Sequence, residues 1–133
     1  MKPNIQEALN ARDKAYVPYS KFKVGAAIEL KNGKIIHGAN IENASFGLTS
    51  CAERNALFSL ISQGYHVEDI VSITIIANDH GPVSPCGACR QVMHELMPKE
   101  TKIYLANTKG EIKETTTDEL LPYGFVFDEK PHD

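Results

Sequence analysis

Three cysteines, a glutamate and an arginine carry most of the chemistry this sequence can do. They sit in two short motifs, Cys51-Ala52-Glu53-Arg54 and Pro85-Cys86-Gly87-Ala88-Cys89. Cys86 and Cys89 are spaced i, i+3, which puts two sulfurs on one face of a first helical turn. Each motif opens a helical pattern, where unpaired backbone N–H groups and the helix dipole favour thiolate. Cys51 starts the other helix and can meet the pair across a layer of the fold. Three thiolates leave the fourth position of a tetrahedral zinc ion to water, as in a catalytic rather than a structural site. A structural zinc would take a fourth Cys or His, and His37, His66, His80, His94 and His132 offer no matching spacing. His94, five residues after Cys89, lies about 140° round the helix and reads as a solvated side chain.

Glu53 follows Cys51 by two residues. Side chains at i and i+2 do not share a helix face, so Glu53 is expected to point away from the Cys51 sulfur, towards a substrate. That suits an acid/base better than a fourth ligand. Zinc with three thiolates is net negative, and activating its water adds more negative charge. A cation donating hydrogen bonds to the sulfurs would drain that charge, and Arg54 is placed to do so. Singly, these features have ordinary readings: a CxxC pair can be a redox couple or half a zinc knuckle, and Arg54 a surface helix residue. Together they point to catalytic zinc.

The rest of the composition limits the partners. A chain of 133 residues fits one domain, here taken as 1–133, and can bury a core without staples. Its 42% hydrophobic and 23% charged residues are those of a soluble globular protein. The formal net charge is −3 and Lys and Arg are scattered singly, which argues against a polynucleotide partner. The N-terminal residues show no secretory signal and no apolar run approaches a membrane span. The expected address is the cytoplasm, where an odd set of three cysteines serves a metal or catalysis rather than disulfides.

The elements that must position these groups follow from periodicity. Residues 4–15 read as an amphipathic helix with Asn4 as N-cap, stopped by Pro18. Residues 22–30 and 34–39 are strands about the Asn32-Gly33 turn. Residues 51–63 place Ala52, Ala56, Leu57, Leu60 and Ile61 on one face, with Gly64 as the C′ residue. Residues 70–77 form a continuous β run, as in a central strand buried on both faces. Residues 86–97 carry a helical stripe through Cys89, Val92, Met93, Leu96 and Met97, ended by Pro98. Strands at 103–106 and 111–115, joined at Thr108-Lys109-Gly110, and a short helix from Thr117 to Leu121 complete the chain. The order αββαβαββα implies a mixed, roughly five-stranded sheet layered with helices.

The blocks PYSKFKVGAA (18–27), GANIENASF (38–46), CAERNALF (51–58), PVSPCGACRQV (82–92) and LLPYGF (120–125) span nearly the whole chain. In them the sequence resembles the small homotetrameric, three-cysteine cytidine deaminases. That resemblance implies an α/β fold, a three-layer αβα sandwich around a mixed five-stranded sheet, with one zinc per chain. It implies that Cys51, Cys86 and Cys89 bind zinc, Glu53 shuttles protons and Arg54 partly neutralises the thiolates. Asn40 and Glu42 would hydrogen-bond the ribose 3′-hydroxyl, Phe22 would pack on the pyrimidine and the Ala52 N–H would bind the ring carbonyl. Phe125 would reach a neighbouring subunit's active site, so that active sites are shared, and Phe46 would lie at a subunit boundary. Without the resemblance, Phe22 and Phe125 read as core and the Asn40–Asn43 stretch as a polar turn. Phe46 stands where Tyr is frequent, Tyr123 where a small residue is common and Glu29 where an aliphatic residue is usual.

The expected reaction is hydrolytic deamination of free cytidine and 2′-deoxycytidine, a step of pyrimidine salvage. Zinc-bound hydroxide would attack C4 while Glu53 relays protons to N3 and the leaving amine. The nearest rival substrate is another aminopyrimidine nucleoside such as blasticidin S, against which the unmodified-ribose motif at 40–43 argues. From another class, a non-catalytic zinc-binding interaction module would leave Glu53 and the open zinc position without a use.

Overall fold

Alternation along the strands decides which side of the sheet each helix takes. The computed structural model describes residues 2–127. Its elements are α1 (Ile5–Arg12), β1 (Val24–Leu30), β2 (Ile35–Ala39), α2 (Ala52–Ser62), β3 (Ile70–Ala77), α3 (Gly87–Leu96), β4 (Lys102–Asn107), β5 (Ile112–Thr115) and α4 (Thr117–Leu120). The strands form one sheet in the order β2-β1-β3-β4-β5. Only β3 and β4 pair parallel; the other neighbours are antiparallel, so the sheet is mixed. On one face Ala26, Ile28, Ile36, Ile73, Ile75, Ile103 and Leu105 pack with Ala56, Leu57 and Leu60 of α2 and Met93 of α3. On the other, Ala27, Ile76 and Ala106 pack against Ala8 of α1, flanked by Ile5 and Leu9. The expected three-layer αβα arrangement is therefore present.

Most element bounds agree with the periodicity, and the departures have local causes. The first helix ends at Arg12, because Lys14 and Ala15 donate to Ala11 and Arg12 in tight turns rather than continuing the α ladder. Asn4 holds the N-cap position without capping: its Nδ2 donates to Glu29 (2.9 Å) and its N–H to Thr74 Oγ1 (2.9 Å). Glu29 thus has a partner that an aliphatic residue could not supply. Strand β1 begins at Val24 rather than 22, since Lys21 adopts a left-handed φ of 61° and the Phe22 N–H folds back onto Ser20 Oγ. Ile61, placed on the buried stripe by the sequence, is exposed.

Two glycines let helices approach the sheet more closely than any side chain permits. A Cβ on Gly25 of β1 would lie 2.1 Å from the Ala8 carbonyl oxygen of α1. One on Gly38 of β2 would lie 2.4 Å from both the Ala52 carbonyl oxygen and the Ala56 nitrogen in the first turns of α2. Both neighbours are backbone, so the helix itself would have to move. Gly38→Ala should therefore destabilise the protein by about 1–3 kcal/mol or more, read by urea unfolding. It should also weaken metal retention, because the displaced turn follows Cys51.

Candidate active site

The N-termini of α2 and α3 bring the three sulfurs together. Cys51 is the N-cap of α2 and Cys86 the N-cap of α3, both in extended backbone conformation, and neither side chain caps its own helix. The sulfurs face each other instead, with Cys51 Sγ 3.7 Å from Cys86 Sγ. Cys89 joins from the first turn of α3, and the three Sγ atoms lie within 4.8 Å of one another. Cys89 is buried, Cys51 half-buried and Cys86 exposed, so the cluster opens to solvent on one flank.

So tight a cluster cannot ionise fully by itself. A hydrogen bond with Cys89, and next to it one from Arg54, holds Cys51 down to about 5. The same bond, seen from its donor, and burial push Cys89 far up. Without a cation, the sulfurs oppose one another's ionisation. A divalent cation removes the conflict, because it lets all three sulfurs ionise at once. Three converging sulfur donors with one open flank fit a zinc ion.

Arg54 reaches this cluster as its sequence position suggested. Its Nη2 is 3.6 Å from Cys51 Sγ and 3.4 Å from the Thr49 carbonyl oxygen. The sulfur contact raises its affinity for its proton, so it stays cationic. Its Nε is buried with no partner among the described residues. Arg54→Gln removes both the charge and the reach to Cys51 Sγ, and should cost about 10–100-fold in zinc affinity or turnover, measured by chelator competition and steady-state kinetics.

Glu53 is only 4% exposed. Burial raises its pKa above the usual carboxylate range, with the Cys51 charge adding to the effect. Glu53 follows Cys51 by two residues in the first turn of α2, and the Cys89 side chain, from α3, lies close enough to counter part of that rise. Cys86 and Cys89 belong to α3, and nothing in residue spacing measures how closely α2 and α3 converge.

The polar loops around this centre are tied to one another. Asn40 Oδ1 accepts from the Val24 N–H (2.9 Å), and its Nδ2 donates to the Phe22 carbonyl (2.8 Å). Glu42 accepts from the Tyr19 and Ser20 N–H groups (3.0 and 3.1 Å) and from the Ser20 hydroxyl. The Ser20 hydroxyl bond holds Glu42 below the usual carboxylate range. Ile41 and Ser50 exchange backbone hydrogen bonds, both 2.9 Å, which docks this loop on the segment entering Cys51. Tyr19, Ser20, Glu42, Phe46 and Thr49 line a cleft of about 390 Å³, and Phe46 meets Tyr19 edge-on at 6.2 Å. Ala52 is fully buried as the first residue of α2, where a backbone N–H has no intrahelical acceptor.

A family model describing the zinc-binding region of cytidine and deoxycytidylate deaminases matches residues 2–105. The chain belongs to the cytidine and deoxycytidylate deaminase family. A cytidine deaminase of Halalkalibacterium halodurans is 58% identical over 122 residues, 92% of this chain and 91% of that protein. One of Sporosarcina psychrophila is 50% identical over 121 residues, 91% of this chain and 88% of that protein. The crystal structure of cytidine deaminase from Burkholderia pseudomallei superposes with a TM-score of 0.88 at 50% identity, covering 91% of this chain and 95% of that one.

Several residues of this deaminase-family chain fall where the sequence did not put them. Residue type alone would put Phe22 and Phe125 in the core, but both are exposed, Phe125 by 67%. Within one chain Phe125 is not brought to the cleft; its carbonyl oxygen is held on α3 by Gln91 Nε2 at 2.9 Å. His94 is half-buried rather than fully solvated: its Nδ1 is buried without a partner among the described residues. Its ring packs under the C-terminal segment, where a Cβ on Gly124 would come within 2.8 Å of it. Ser20, which holds Glu42, carried no signal in the sequence beyond lying in the 18–27 block. His132 lies outside the described residues.

Proposed function

We propose that this chain hydrolyses the 4-amino group of free cytidine and 2′-deoxycytidine, giving uridine or 2′-deoxyuridine and ammonia. The observation that carries the reading is a buried carboxyl, two residues from Cys51, beside three sulfurs that converge at two helix starts. Cys51, Cys86 and Cys89 would hold one zinc ion per chain, with Arg54 offsetting the thiolate charge. Zinc in such a site supplies the Lewis acidity that makes water nucleophilic at neutral pH.

Glu53 does the proton work. Its raised pKa suits a group that must both accept and return a proton. It takes the proton that water loses on attacking C4 and delivers it to N3. It then takes the proton of the new C4 hydroxyl and passes it to the exocyclic nitrogen, which leaves as ammonia while the C4–O double bond forms. Its burial keeps bulk water from shorting that relay. The Ala52 N–H would hold the ring carbonyl, and Phe22, braced through Asn40, would pack on the pyrimidine. Asn40 and Glu42 would meet the ribose 3′-hydroxyl.

The same reading takes the chain as one deaminase domain in a cytoplasmic homotetramer with shared active sites. Exposed Phe46, Leu48, Phe58, Ile61 and Phe125 are the kind of surface that association covers, and the cysteines are free thiols. Among the described residues no helix is long and apolar enough to cross a membrane. The test is a substrate panel of cytidine, 2′-deoxycytidine, blasticidin S and a deoxycytidine oligonucleotide. Turnover of the two free nucleosides, well above the other two, supports the reading. Turnover confined to blasticidin S or to the oligonucleotide overturns it.

A further inference from the structure

The outward side of α3 carries three residues that the chemistry above does not use. Arg90, Gln91 and His94 fall within an arc of about 100° on the helix. All three hold the C-terminal segment. Arg90 Nη1 donates to the Leu120 carbonyl (2.9 Å), Gln91 Nε2 to the Phe125 carbonyl (2.9 Å), and the His94 ring lies under Gly124. Arg90 has a second attachment. Its Nε donates to the Pro85 carbonyl (2.8 Å) and its Nη2 to Ser84 Oγ (2.7 Å). Its backbone N–H bonds the Cys86 carbonyl (3.0 Å). One guanidinium therefore spans the loop entering Cys86 and the segment leading to Phe125.

We propose that Arg90 is a positioning residue that locks the Cys86 loop and the 120–125 segment into one unit, with Gln91 and His94 completing the seat of that segment. The proposal rests on the reading of Cys86 as a metal ligand and of Phe125 as part of a neighbour's site. A guanidinium is suited to the task, because its fixed fork serves three acceptors at once. A lysine at this position offers a point charge without that geometry. Disturbing Arg90 loosens both segments together, whereas disturbing His94 or Gly124 loosens the segment alone.

The experiment is hydrogen exchange on the zinc-loaded protein, read by peptide for 82–92 and for 118–127, with zinc release to a chromogenic chelator alongside. Variants Arg90→Lys, His94→Ala and Gly124→Ala are compared with the parent. Arg90→Lys is expected to speed exchange in both peptides and zinc release by about tenfold, the loss of one charged hydrogen bond. His94→Ala and Gly124→Ala should speed exchange only in 118–127, leaving zinc release unchanged. With cytidine as substrate, His94→Ala should raise KM while kcat stays near that of the parent. Should Arg90→Lys loosen one peptide without the other, or His94→Ala accelerate zinc release, the proposal is wrong. These exchange and release readouts do not depend on turnover. A protein that fails on cytidine would fail the function proposed above without touching the coupling of the two segments.

Discussion

Glu53→Gln should leave zinc in place and abolish nearly all turnover. A positioned acid/base contributes about 10²–10⁴-fold, and Glu53 is asked to act at water, at N3 and at the amine. The expected loss of kcat is therefore at the upper end, about 10⁴-fold, with one zinc per chain retained. The same substitution should strengthen the metal-free fold. Burial raises the folded pKa of Glu53 above its unfolded value. The unfolded chain thus ionises first, and stability falls as pH rises from near 4.5 through the folded pKa. A neutral amide escapes that penalty, so the metal-free variant should melt above the metal-free parent at neutral pH and match it in acid. Opposite signs in activity and stability are what a group buried for chemistry should give.

Cys86→Ala should instead lose the metal. A site worth about 10–16 kcal/mol in all gives roughly 3–5 kcal/mol for each of three thiolates, so zinc affinity should fall by more than about a hundredfold. Activity should fall with occupancy, and the thermal stabilisation by zinc should shrink in proportion. Cys86 is the exposed member of the cluster, so removing it leaves little buried void. Any loss of stability then reports the metal rather than packing. Full zinc retention by Cys86→Ala, measured by atomic absorption after dialysis, would show that the ligand set is misassigned.

What the sequence displayed, it displayed through spacing. Cys51 and the Cys86/Cys89 pair announced two helix starts, and the structure puts the first two at N-caps with their sulfurs 3.7 Å apart. The apolar run 70–77 marked β3 to the residue, because a strand buried on both faces has no polar side to blur its ends. The parts that were hidden depend on residues far apart in the chain. The turn at 18–23 takes its shape from Glu42, some twenty residues on, and so could not be told from the start of β1. His94 looked solvated because the segment covering it, at Gly124, lies thirty positions away. Phe22 and Phe125 read as core by residue type, yet a single chain leaves both exposed.

The central claim is tested most directly by running the zinc-loaded protein on cytidine in oxygen-18 water and analysing the pyrimidine by mass spectrometry. The account predicts uridine carrying one oxygen-18 at C4, with one ammonia released for each uridine formed. Unchanged cytidine from a fully zinc-loaded protein, or a product without the label, would contradict it.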